Sequence, residues 1–93
     1  MAYDMSTATE VVSTVNTKAE TAEHDLFQLG LSAATGVGAE MDYVEAHKWF
    51  NIAAMRGDIE ARSRRQELTS MMTQSQVSAA QRAAREWLQR TAN

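Results

Sequence analysis

No proline interrupts the 93-residue chain, and its four glycines fall at positions 30, 36, 38 and 57. Proline is the strongest breaker of a helix interior, and a glycine can end one by turning left-handed. The chain therefore reads as helical segments divided near Gly36–Gly38 and again at Gly57. Gly30 is different, because it lies inside an apolar run. Ninety-three residues bury enough surface for one small core and no more. A hydrophobic fraction of 44% and a charged fraction of 23% are those of a globular chain.

Apolar periodicity fills in the segments. Leu26, Leu29, Gly30 and Ala33 recur at spacings of three and four, which predicts a first helix over 18–35. Thr17 and Glu20 have capping-box spacing at its start. Asp42 is placed to cap a second helix over 43–56, with Glu45 at a box-like distance. Ala46, Trp49, Phe50, Ala53 and Ala54 form its apolar stripe, and His47 and Lys48 fall on the side expected to face water. Asp58 can cap a third helix running to about Met72, with Ile59, Ala61, Leu68, Met71 and Met72 as its apolar side. Thr73 and Gln76 form another capping box. Val77, Ala80, Ala84, Trp87 and Leu88 then mark a fourth helix over 74–90. Residues 1–17 are ambiguous, since Thr7, Thr9, Val11, Val12, Thr14 and Val15 are β-branched, and are read as a tail, flexible or loosely docked.

Several function classes find no support. Without cysteine there is neither a disulfide framework nor a thiolate zinc site. His24 and His47 lie on different helices with no third ligand at metal spacing, so no metal is expected. Gly36-Val37-Gly38 follows a helix and lacks a third glycine, so it is an interhelix loop rather than a dinucleotide cradle. Ser32 and Thr35 have no base and orienting acid near them, and Glu20 and Glu23 sit on an open helix start. No catalytic residue or cofactor is expected. No apolar run can span a bilayer, so membrane insertion is not expected. Met1–Glu10 lacks the regions of a secretory leader, and the cytoplasm is the expected compartment.

Charge is unevenly distributed. Residues 1–47 carry eight acids and one base, and residues 48–93 carry eight bases and four acids. The arginines at 62, 64, 65, 82, 85 and 90 could form a basic strip on the third and fourth helices. A nucleic-acid or ribonucleoprotein contact is the alternative function this raises, but such footprints need a compact patch with stacking aromatics. Interspersed Glu60, Glu67 and Glu86 favour a solvated face.

The run Leu29-Gly30, Gly36-Val37-Gly38, Asp42, Ala46, Trp49-Phe50, Ala53-Ala54 and Gly57 resembles a Sel-one-like repeat (SLR), a relative of the tetratricopeptide repeat. The stretches from Tyr43 to Arg56 and from Ala79 to Leu88 are also similar to small bacterial proteins carrying one such repeat. The resemblance implies an all-α fold: an α/α helical hairpin over 18–57 and a degenerate second hairpin over 58–93. The two C-terminal helices would act as the cap. A lone repeat cannot bury its faces, so it needs such a cap. Gly30 then lets the second helix approach the first, with Trp49 and Phe50 filling the space beside it. The chain departs from the family at Asp25 and Ala33, where an alanine and an aromatic are common.

The resemblance also implies a protein-binding scaffold, a small adaptor or accessory subunit. Its groove would lie between the first and third helices. Phe27, Leu31, His24, Ala34 and Thr35 would line it, with Arg62 and Arg65 at the rim. Phe27 and Leu31 could equally be covered internally, by the last helix or the N-terminal segment, and internal cover is favoured because single domains rarely leave large apolar patches open. The partner is expected to be another protein, with a homodimer also open and nucleic acid disfavoured.

Overall fold

The computed structural model describes residues 18–92, with side chains from Asp25 onward. The tail at 1–17, the Thr17–Glu20 box and the His24 side chain lie outside the described residues. Four helices follow in order: α1 Lys18–Thr35, α2 Tyr43–Met55, α3 Ile59–Thr69 and α4 Gln74–Thr91. There is no strand among the described residues.

The helix ends follow from local chemistry. Asp42 opens α2 by accepting from the N–H groups of Val44 and Glu45 at 3.0 and 3.2 Å. Its own N–H donates to the Ala33 carbonyl at 2.8 Å, which ties the returning loop to α1. Glu45 does not complete the box; its carboxylate pairs with Lys48 Nζ at 3.1 Å. At the other end of α2, Gly57 takes φ +103°. The Gly57 N–H donates to Ala54 O and the Asp58 N–H to Ala53 O, the paired bonds of a Schellman close. The Asp58 carboxylate then accepts from Ala61 N at 3.0 Å and opens α3. Thr73 and Gln76 make both bonds of the expected capping box at the start of α4.

Helix α3 stops at Thr69, three residues before the expected Met72. The hydroxyls of Thr69 and Ser70 donate back to the carbonyls of Arg65 and Glu67. Such bonds compete with helix continuation, and Thr73 needs extended backbone to cap α4.

Helix α2 is the centre of the molecule, in contact with α1, α3 and α4. Its Ala46, Phe50, Ile52 and Ala53 are buried, joined by Leu26, Phe27 and Ala33 of α1, Ala61 and Leu68 of α3, and Ala84 of α4. At Gly30 an added Cβ would lie 2.6 Å from Phe50 Cε1. The two helices meet there because glycine has no side chain, and the close packing offsets its helix penalty of about 1 kcal/mol.

Several expectations from periodicity need correction. The three atoms nearest a Cβ at Gly30 all belong to Phe50, while Trp49 meets Trp87 of α4 edge-to-face, with centroids 5.6 Å apart. Leu29 is 46% exposed, and Ile59 and Met71 are 73% and 58% exposed. Leu29 and Met71 line open recesses instead of the closed core. His47 was expected in water but is 2% exposed. Lys48 is also half-buried, with Nζ 4.0 Å from the Trp49 ring centroid. Three neighbours surround α2, so its wet side is narrower than one apolar stripe suggests.

Candidate partner groove

Between α1 and α3 lies a recess of about 170 Å³. Leu31, Ala34 and Thr35 from the last turns of α1 form one wall, and Leu68 and Met71 form the other. Tyr43, the first residue of α2, and Phe50 supply the floor. Arg64 and Glu67 stand at the α3 side, so an apolar recess has both charge signs beside it. Arg64 is drawn toward Glu60 at 3.6 Å, an exposed pair worth little.

The seven residues expected in the groove divide. Leu31, Ala34 and Thr35 line it. Phe27 is instead a core side chain, 9% exposed, with its ring tilted at 52° against Phe50 at 5.5 Å. The cover is internal, and it comes from α2. Arg62 is exposed and is not among the lining residues. Arg65 turns inward and donates to Asn51 Oδ1 at 2.7 Å, so it joins α3 to α2 rather than forming a rim. The side chain of His24 is outside the described residues. Sequence reasoning missed Arg64 and Glu67, although 64, 67, 68 and 71 have the i, i+3, i+4, i+7 spacing of one helix face.

A second recess of about 440 Å³ opens where the end of α1 meets the start of α2. Leu29, Ala33 and Trp49 line it beside Glu40, Asp42 and Glu45. Asp42 is committed to its cap and Glu45 to Lys48.

The polar groups near the groove are occupied structurally. Thr35 donates to Leu31 O at 2.8 Å and accepts from Val37 N at 3.2 Å, which closes α1. His47 Nε2 lies 3.1 Å from Thr69 Oγ1. Burial, and then the Arg65 guanidinium, hold His47 below the ordinary histidine value, with a smaller opposing contribution from its own backbone. Among the described residues, no three His, Asp or Glu side chains gather as a metal would require. No described helix is long and apolar enough to cross a membrane. The arrangement can enclose an apolar side chain and offer it polar company on one side. No family model, curated protein or solved structure matches the chain.

Proposed function

We propose that this protein is a non-catalytic protein-binding module, a small adaptor or accessory subunit. In this reading α1 and α2 form an SLR-like helical hairpin, and α3 and α4 cap it. A segment of a partner protein lies in the groove between α1 and α3, with an apolar side chain seated between Leu31 and Met71. The observation that carries the reading is the recess between α1 and α3, walled by aliphatic side chains with Arg64 and Glu67 beside it. Met71 supports it, because a long apolar side chain 58% exposed at the mouth of a recess can cover an incoming group.

Among the described residues, the tryptophans that could serve the arginine alternative as a stacking platform are already engaged. Trp49 and Trp87 are engaged with each other, and Arg56 lies over the Trp87 ring at 5.5 Å. The test is capture of partners from source-cell lysate by the wild-type chain and by a Leu31→Asp, Met71→Asp double variant. Both side chains are only partly buried or exposed, so the variant should keep its helical circular dichroism. The expected result is loss of a specific partner that resists high salt. A folded variant that keeps every partner overturns the groove. Binding that collapses steeply with salt and survives the double variant would point to phosphate contacts instead.

A further inference from the structure

Two polar contacts join α3 to α2 within an otherwise apolar interface. His47 meets Thr69 at 3.1 Å, and Arg65 donates to Asn51 at 2.7 Å. The residues are four apart on each helix, so they form one antiparallel seam. We propose that His47 is an acid-sensitive latch: protonating its buried imidazole frees the last turn of α3 from α2 and takes down the α3 wall of the groove. The consequence for binding rests on the groove reading; the latch itself does not.

The tautomer follows from the hydrogen bonds. Thr69 Oγ1 lies 2.9 Å from the Arg65 carbonyl, which can only accept. The single hydroxyl proton is therefore spent there. With that proton assigned to the carbonyl, the Thr69 oxygen accepts from His47, which assigns the ring proton to Nε2. Nδ1 is left as a bare lone pair, buried and without a partner. A neutral ring tolerates this arrangement. A protonated ring does not: it places a charge at a site 2% exposed, with only the small contribution of its own backbone to offset the cost.

Among the described residues the surroundings offer no compensating anion. From α3, Arg65 faces the imidazole and disfavours its charge. On α2, Glu45 and Lys48 are paired with each other, Asn51 is neutral, and Tyr43 stands one turn earlier. No described charged group of α1 or α4 acts on the ring. The strain can be relieved by admitting water beside Thr69. The other end of α3 is held by the Asp58 cap, so movement concentrates at Leu68 and Thr69. Leu68 is part of the groove wall.

The experiment uses the full chain with no partner. Imidazole nitrogen resonances are followed by NMR from pH 7.5 to 5, with His24 in the same sample for comparison. Amide exchange is read over Gln66–Thr69 and over Ala80–Ala84, corrected for intrinsic rates. The expected result is an Nε2–H ring at neutral pH and a titration midpoint below the ordinary 6.5. On crossing that midpoint, exchange at the end of α3 should accelerate at least about tenfold relative to α4. His47→Gln, which can still donate to Thr69, should remove the pH response. An Nδ1–H ring, an ordinary midpoint or equal acceleration in α4 overturns the latch. If the Gln variant does not fold, the first three readings on the unaltered chain still decide. Binding data do not enter, so a failed latch and a failed groove remain distinct results.

Discussion

Replacing Gly30 by alanine should destabilise this protein, although alanine is the better helix former. The new Cβ would stand 2.6 and 2.7 Å from two ring carbons of Phe50 and 3.0 Å from a third. Carbon atoms in good contact lie about 3.5–4.0 Å apart, so the ring or the helix must retreat by roughly 1 Å. Phe50 is 1% exposed and braced by Phe27, so moving the ring means repacking the core or pushing into the groove it floors. Overpacking of this kind costs about 1–3 kcal/mol, and three close ring atoms argue for the upper part of that range. Helix propensity returns about 1 kcal/mol. The net loss is about 1–2 kcal/mol, a fall of roughly 5–15 °C in Tm for a domain of this size. Thermal and urea unfolding by far-ultraviolet circular dichroism would measure it. In a Phe50→Leu background the clash is relieved, and the same substitution should become neutral or favourable, giving a coupling above about 1 kcal/mol. A rise in Tm for Gly30→Ala in the wild-type background would show that the helices do not meet there.

Stability should fall with acidity through His47. Its folded-state pKa is lowered, so below about 6.5 the unfolded chain takes a proton that the folded chain refuses. The contribution is intact above that value and declines as the pH drops toward the folded-state pKa. The slope is at most about 1.4 kcal/mol per pH unit, and urea midpoints of wild type minus His47→Gln isolate it; equal slopes would refute it. Asp58→Ala should cost about 1 kcal/mol through the lost cap of α3, read from the urea midpoint, whereas Glu60→Gln should be nearly silent because its ion pair is exposed. Trp87→Ala removes the edge-to-face partner of Trp49 and should cost about 2–4 kcal/mol, with Trp49 fluorescence moving to longer wavelength; an unchanged spectrum would mean that the rings are apart.

What could be read without coordinates was local. Asp42, Asp58 and the Thr73–Gln76 pair declare helix starts because capping needs one side chain and the next few amides. Gly30 declares close packing because glycine inside an apolar helical run has few other reasons to be there. What failed was inference about sides. A stripe presumes one buried face, yet α2 is enclosed by three helices, so His47 and Ile52 are buried beside the expected residues. For Phe27 the sequence leaves groove and internal cover both open, with the last helix or the N-terminal segment as the cover; its ring packs on Phe50 of α2. In the groove, Leu31, Ala34 and Thr35 of the α1 wall follow from the resemblance. The α3 wall does not, because the arginines drew attention to charge at 62 and 65 while the lining face ran through 64, 67, 68 and 71. The stop at Thr69 depends on hydroxyl–carbonyl bonds that periodicity does not register.

Asp58 has one further consequence. Its amide finishes one helix while its carboxylate begins the next, leaving no spare residue at that corner. A single inserted amino acid there would have to surrender one of the two functions, whereas three residues, Ser70 to Met72, separate the end of α3 from the Thr73 cap. The corner is thus a rigid elbow, and evolution or engineering that lengthens this chain should find room after the third rod and not before it.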